Sequence, residues 1–261
     1  MPFLTRIDCP ADENPSEFPL NLPFVPSLSA RDIPCNVLFF VGENGSGKST
    51  LLEAIGIAAK RVNIGKSDLS ADGTLDAIRP LSDRLTLSWR RRSANGFFLR
   101  AEDFFNFIRR NQDLEKTFDG LIERFKDDDR VRGYMESNRQ AINGRYGRDL
   151  NDYSHGEGFF EFVRSRVNAN GLYLFDEPEA ALSPQRQLAF ALFVREKALA
   201  GCQFIIATHS PIILSCPDAE IWEFSEEGLA ERSYSELEHV RFSKSFLADP
   251  QRYWRQLESS D

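Results

Sequence analysis

Val37-Leu-Phe-Phe-Val-Gly-Glu-Asn-Gly-Ser-Gly-Lys-Ser-Thr50 is the most informative stretch of this 261-residue chain. Its first five residues are apolar and favour β-structure, which predicts a buried strand. The next residues fit the pattern G-x-x-x-x-G-K-[ST] of a phosphate-binding loop, and the residues after Thr50 predict a helix. Glycines let successive backbone N–H groups face one anion, and the helix N-terminus adds the positive end of its dipole. The stretch therefore predicts a nucleotide-binding site.

Two side chains of this loop have expected chemical roles. The ammonium group of Lys48 is expected to reach the β- and γ-phosphates, and the hydroxyl of Ser49 to ligate Mg²⁺. The residues expected to bind the nucleotide here are Gly42, Asn44, Gly45, Ser46, Gly47, Lys48, Ser49 and Thr50.

Composition limits the class of protein. An apolar share of 41% and a charged share of 28% are typical of a globular protein. No apolar run has the length of a membrane span, and the polar first eight residues do not resemble a signal peptide. The four cysteines lie far apart without a C-x-x-C spacing, which favours reduced thiols. We therefore expect a cytoplasmic protein that is not inserted in a membrane.

The net charge of −8 is unevenly distributed. Residues 84–148 contain 15 Lys and Arg against 10 Asp and Glu, while the rest of the chain carries −13. The basic segment is either the solvated face of a helical lobe or a surface for nucleic acid. The negative net charge of the whole chain argues against strong nonspecific binding of nucleic acid.

Hydrophobic patterns predict alternating strands and helices along the chain. Strands are expected at Phe3–Cys9, Phe24–Leu28, Leu85–Trp89, Phe97–Leu99, Leu172–Phe175, Gln203–Ala207 and Glu220–Phe224. Leu85–Trp89 and Phe97–Leu99 look like the two arms of a hairpin at the edge of the core. Apolar residues from Phe104 to Phe125 predict a helical lobe. The aromatic residues of 239–258 predict an amphipathic ending that packs back on the domain.

A second motif follows the strand Leu172–Phe175. Asp176 is placed to hold Mg²⁺, usually through water, and Glu177 to orient and deprotonate an attacking water. His209, after the next strand, is a candidate donor to a γ-phosphate oxygen or to the water. The expected catalytic residues are therefore Glu177, His209 and Lys48, and the expected metal ligands include Ser49 and Asp176.

A third motif, Tyr153-Ser-His-Gly-Glu157, opens a predicted helix. Ser154, His155 and Gly156 present a hydroxyl, an imidazole and backbone N–H groups at a helix start, which is an anion-binding arrangement. One chain would then carry two γ-phosphate sites and a single nucleotide loop. A two-fold dimer in which each chain completes the partner's ATP site accounts for the second γ-phosphate site.

Together these motifs resemble an ABC-type ATPase. Gly42–Ser49 matches Walker A, Tyr153–Glu157 takes the place of the signature, Leu172–Glu177 matches Walker B, Glu179–Ser183 resembles the D-loop, and His209 the switch histidine. The sequence is most similar to small ATPases labelled "AAA family", which are related to the SMC, RecF and OLD-type branch. The resemblance implies an α/β fold: an ABC-type P-loop NTPase core, a mixed sheet flanked by helices, with an inserted helical lobe.

The resemblance covers essentially the whole chain. It implies a single ATPase domain over residues 1–261, a helical and signature lobe at approximately 100–165, and a C-terminal helical segment at approximately 239–258. Two positions depart from the family pattern: His155 replaces a signature glycine, and Arg100-Ala-Glu102 stands where the Q-loop glutamine should be. Glu102 is therefore either a ligand of Mg²⁺ or its water, or a surface residue.

Three functions fit these motifs. The leading one is Mg²⁺-dependent ATP hydrolysis by an ATP-induced homodimer that works in DNA maintenance or phage defence, on nucleic acid or with a nuclease or other effector partner. The second is a slow nucleotide-gated regulatory partner of an effector protein. The third is the ATP-binding subunit of a transporter, which the departures from the family pattern disfavour.

Overall fold

The computed structural model of the chain describes residues 1–10, 17–63, 73–124, 130, 133–134, 137 and 155–259. In chain order its strands are β1 (Leu4–Asp8), β2 (Arg31–Asp32), β3 (Val37–Gly42), β4 (Val62–Asn63), β5 (Thr86–Trp89), β6 (Asn95–Arg100), β7 (Gly171–Asp176), β8 (Gln203–Ala207), β9 (Glu220–Ser225) and β10 (Gly228–Glu231).

The helices surround these strands. They are α1 (Lys48–Ala58), α2 (Arg79–Arg84), α3 (Ala101–Arg124), α4 (His155–Arg166), α5 (Pro184–Leu199), α6 (Pro211–Leu214), α7 (Glu238–Ala248) and α8 (Pro250–Glu258). Short 3₁₀ helices lie at Val25–Leu28, Gly73–Ile78, Pro178–Ala181 and Tyr234–Glu236. No helix in these described ranges is long and apolar enough to cross a membrane.

A seven-stranded sheet forms the centre of the fold, in the order β10-β9-β3-β8-β7-β6-β4. Its strands are parallel except β10, which pairs antiparallel with β9. A smaller antiparallel sheet has the order β2-β1-β5. The predicted mixed sheet flanked by helices is confirmed.

The central strands are buried on both faces, as their continuous apolar runs predict. Along β3, Phe39 packs into one apolar cluster with Phe175 and Phe204, while the next residue, Phe40, packs into the opposite cluster with Trp222. Each fully buried side chain of this size contributes about 1.5–3 kcal/mol to folding. Because parallel strands end at the same edge, the residues that follow β3, β7 and β8 meet there.

Two predicted elements near the small sheet were wrong. Val25–Leu28 is a 3₁₀ helix and not part of a strand, since Pro26 occupies its first turn and lacks a donor for a sheet ladder. β5 and β6 do not form a hairpin, because β5 pairs with β1 and β6 pairs with β7. Local alternation in β5 could not show that its partner lies more than seventy residues earlier in the chain.

The expected packing of the C-terminal aromatics was also wrong. Trp254 and Leu257 on α8 are 54% and 65% exposed, and Phe242 on α7 is 56% exposed. Phe242, Phe246 and Tyr253 instead contact one another, with ring centroids 5.5–6.0 Å apart. Among the side chains described on α7 and α8, Val240 is buried.

Candidate functional site

The loop between β3 and α1 has the backbone that its glycines predict. Gly47 precedes α1 with φ of 98°, in the left-handed region that a side chain disfavours. The ring of Phe24 occupies the space that a Cβ on Gly47 would need. Phe24 is buried and also contacts Phe224, so its ring supports the loop.

Lys48 folds back over this loop. Its Nζ donates hydrogen bonds to the carbonyl oxygens of Gly42 at 2.9 Å and Glu43 at 2.8 Å. Burial lowers the pKa of the Lys48 ammonium, and the nearby carboxylates of Glu177 and Asp176 oppose that shift. The cation is thus held against the loop where phosphates are expected to lie.

Two features of the loop make it suited to binding an anion. The N-cap residue of α1 is Gly47, which has no side chain to cap the helix, so the first N–H groups point outward from the helix end. Ser46 Oγ is buried and has no hydrogen-bond partner among the described residues. Uncapped N–H groups and an unpartnered hydroxyl are the donors that a phosphate needs, so the loop fits a nucleotide.

The end of β7 lies beside the start of α1. Ser49 Oγ donates a hydrogen bond to Asp176 Oδ1 at 3.0 Å, which joins the two motifs across the intervening strand β8. Asp176 is 3% exposed, and burial raises the pKa of its carboxyl group. A hydroxyl and one carboxylate are the protein ligands that Mg²⁺ needs beside phosphates and water. In the described part of the chain, no three His, Cys, Asp or Glu side chains form a metal cluster.

Sequence reasoning missed an ion pair at this carboxylate. Arg100 Nε lies 3.2 Å from Asp176 Oδ2, and Arg100 also pairs with the buried carboxylate of Glu53 on α1. Glu102, the expected metal residue, is exposed on the first turn of α3, and its role stays a prediction. The sequence did contain a signal for this ion pair, because an arginine, Arg100, stands where the Q-loop glutamine is expected.

Glu177 is the first residue after β7 and is exposed. Its backbone is left-handed, with φ of 48° and ψ of 52°, which is uncommon for a residue with a side chain. The N–H of Glu177 donates to the carbonyl oxygen of Ala207 at 2.9 Å, so the ends of β7 and β8 hold this conformation. A strained residue with an exposed carboxylate at the sheet edge suits a catalytic base.

Glu179 anchors the segment that carries His209. Its Oε2 accepts from Thr208 Oγ1 at 2.7 Å, and its Oε1 accepts from the backbone N–H of His209 at 2.5 Å. Burial raises the pKa of Glu179, which these hydrogen bonds oppose. Ser210 Oγ in turn donates to Gln187 Oε1 at 2.7 Å on α5. Sequence reasoning assigned Glu179 to a D-loop and missed this anchoring role.

His209 is half-buried at the same edge. Its Nε2 is buried and has no hydrogen-bond partner in the described part of the chain. Burial lowers the pKa of His209, the charge of Lys48 lowers it further, and Glu177 opposes both. The imidazole is therefore neutral near pH 7 and can donate or accept one hydrogen bond.

The signature motif is only partly described. Ser154 lies outside the described residues, and only the helical backbone of His155 and Gly156 is described, at the start of α4. Their role in an ATP site stays a prediction.

Replacing Glu179 with alanine tests its anchoring role. Thr208 Oγ1 and the His209 N–H would lose their acceptor, which should lower the free energy of unfolding by about 1–3 kcal/mol. If His209 acts in hydrolysis, turnover should fall about tenfold while ATP affinity changes less than about threefold. Urea unfolding, phosphate release and nucleotide titration measure these quantities. Glu226→Ala, which removes an exposed glutamate, is the control, and equal stability of the two variants would contradict the anchor.

The lowered pKa of His209 predicts a dependence of stability on pH. The unfolded chain takes up the proton first, so stability should be complete above about pH 6.5 and should fall as pH decreases below it. His239 contributes in the same direction, because burial lowers its pKa too. Urea unfolding at pH 5.5 and 7.5 should show a smaller pH effect for His209→Asn than for the unmutated chain. An unchanged pH effect would contradict the buried, neutral state.

The strand–loop–helix unit, with its serine bonded to an aspartate at the end of the parallel strand β7, defines a P-loop nucleotide-binding domain. A family model described as "AAA domain, putative AbiEii toxin, Type IV TA system" matches residues 81–215. The chain belongs to this family, which confirms the predicted AAA-family assignment and supports ATP hydrolysis in general.

Comparison with individual proteins gives one sequence relative and several structures. "Macrolide export ATP-binding/permease protein MacB" of Hahella chejuensis is 27% identical over 216 residues, which are 81% of this chain and 32% of that protein. The chain thus spans about a third of this relative's length.

The Smc head domain of Pyrococcus furiosus bound to the C-terminal domain of ScpA matches at 14% identity with a TM-score of 0.45, covering 90% of this chain and 98% of that one. CbiO1 of Clostridium perfringens matches at 18% identity with a TM-score of 0.45, covering 98% and 99%. Because both TM-scores lie below 0.5, neither match supports an argument about this chain.

Proposed function

We propose that the chain binds ATP with Mg²⁺ and hydrolyses it in an ATP-induced homodimer. The observation that carries the proposal is the hydrogen bond from Ser49 to Asp176, because it brings the phosphate loop and the expected metal carboxylate to one point. Glu177 is the general base, Lys48 neutralises phosphate charge, and His209 donates to phosphate or water. Ser49 and Asp176 hold the metal, which supplies charge neutralisation at the phosphates when bound.

The reason for proposing a dimer is that the sequence contains a second predicted anion site, at Ser154, His155 and Gly156, but a single nucleotide loop. Ser154, His155 and Gly156 of one copy would bind the γ-phosphate held by the other copy's loop. In this proposal residues 1–261 form one ATPase domain, with the lobe at approximately 100–165 and the C-terminal segment at approximately 239–258. The dimer closes on ATP and separates after hydrolysis.

The process that we propose is DNA maintenance or phage defence. The family's description names a putative toxin of a toxin–antitoxin system, which supports a defence role with an effector partner. The basic balance of residues 84–148 is compatible with nucleic acid as a ligand.

Measuring ATP turnover with and without DNA tests the proposal. The DNA role predicts turnover that DNA stimulates at least about tenfold and that ends when EDTA removes Mg²⁺. A flat, low rate would favour the slow regulatory switch instead, and the absence of ATP binding would contradict both.

A transporter's ATP-binding subunit is a further candidate, favoured by the similarity to MacB, which is named as an export protein. That role predicts stable co-purification with a membrane protein from detergent extracts. Recovery of the chain without such a partner would contradict it.

A further inference from the structure

The expected metal carboxylate belongs to a closed network of charged side chains. Ser49 and Glu53 lie one turn apart on α1, so both face the end of β7. Arg100 is the register partner of Asp176 in the β6–β7 ladder, and its guanidinium joins Asp176 to Glu53. The side chains of Glu53 and Asp176 are 6% and 4% exposed, and that of Arg100 is 25% exposed.

Both oxygens of Asp176 have partners in this network. Oδ1 accepts from Ser49 and Oδ2 accepts from Arg100. Buried carboxylates need such compensation, because the charge of each is expensive to remove from water. Lys48, the other nearby cation, donates to the carbonyl oxygens of Gly42 and Glu43. Among the described residues, Arg100 is thus a cation in direct contact with Asp176.

We propose that Arg100 is a resident counter-cation, which neutralises Asp176 in the metal-free protein and lowers its affinity for a free divalent cation. The inference rests on the proposed function for the identity of Asp176 as the metal carboxylate. Metal then binds with the nucleotide, whose phosphates supply the missing negative charge. Arg100 is a positioning residue, and a glutamine at its place would bring no charge.

Three variants change the charge of the network in steps. The two carboxylates and the guanidinium sum to −1 in the unmutated chain. The sum is 0 in Glu53→Gln and −2 in Arg100→Gln, whereas Arg100→Lys keeps −1. Glutamine approximates the shape of glutamate, so Glu53→Gln changes charge with little change in volume.

Mn²⁺ titration without nucleotide, followed by electron paramagnetic resonance of the free ion, measures the effect. We expect Arg100→Gln to bind Mn²⁺ at least about tenfold more tightly than the unmutated chain, Glu53→Gln about tenfold more weakly, and Arg100→Lys within about threefold. In EDTA, Arg100→Gln should have a lower Tm, which Mn²⁺ restores. Equal or weaker Mn²⁺ binding by Arg100→Gln would overturn the proposal.

A second variant and one further measurement keep the outcome decisive. If Arg100→Gln does not fold, Glu53→Gln provides the test, with a decrease in Mn²⁺ affinity as the expected result. An unchanged Mn²⁺ affinity of Glu53→Gln overturns the proposal. Binding of a fluorescent ATP analogue in the presence of Mg²⁺ tests the ATP function separately. Its absence from the unmutated chain would contradict the ATP function, while the order of Mn²⁺ affinities still judges Arg100.

Discussion

Glu177→Gln is expected to bind ATP, to lower turnover by about 10²–10⁴-fold and to accumulate a dimer. The amide cannot accept a proton from water, and general-base catalysis contributes about that factor. The backbone should persist, because the bond from the Glu177 N–H to Ala207 does not involve the side chain. Phosphate release measures turnover, and light scattering with saturating ATP and Mg²⁺ measures mass. Glu226→Gln, at an exposed site, is the control.

The proposed dimer needs its own test, and His155, one of the residues proposed to close it, lies at the start of α4. Adding His155→Glu to the Glu177→Gln chain should abolish the dimer. Glutamate is tolerated at a helix N-terminus but repels the partner's γ-phosphate. ATP binding to each monomer should remain. A Glu177→Gln chain that stays monomeric with saturating ATP and Mg²⁺ would contradict the shared site, and a dimer that persists with His155→Glu would place the contact elsewhere.

Much of the fold and of the site's local parts could be predicted, because their signals lie within short stretches. The apolar run Val37–Val41 predicts a strand, and the glycines after it predict the loop. The apolar run before Asp176 likewise predicts a strand that ends at the carboxylates. Strands buried on both faces indicate a parallel sheet with helices on either side. That arrangement brings the ends of β3 and β7 to one edge, so the proximity of Ser49 and Asp176 follows from topology.

Other features depended on partners distant in the chain. β5 alternates as a hairpin arm does, yet it pairs with β1, which no local pattern reveals. The ion pair of Arg100 with Glu53 depends on the register between β6 and β7 and on the face of α1. The aromatic residues of α7 and α8 have core-like spacing, but amphipathicity does not say whether a face is covered by the same chain.

Lys48→Ala is expected to have the other large effect, a loss of ATP affinity of about 100-fold or more. The ammonium is held beside the loop by Gly42 and Glu43, and we propose that it neutralises phosphate charge there. Each tenfold step in affinity corresponds to about 1.4 kcal/mol of binding free energy, so a 100-fold loss corresponds to roughly 3 kcal/mol. This is about the contribution of one close, charge-assisted hydrogen bond. Lys48→Arg should not rescue it, since a planar guanidinium does not fit the space of a compact ammonium.

Fluorescent-ATP titration measures this affinity. Lys60→Ala is the matched control, because it removes the same charge just beyond the other end of α1, where the side chain is exposed. Loss of the hydrogen bonds to Gly42 and Glu43 also predicts a lower Tm for the empty Lys48→Ala chain. Equal ATP affinities of the two variants would contradict the phosphate role of Lys48. A lower Tm with normal affinity would leave the lysine as a structural support of the loop alone.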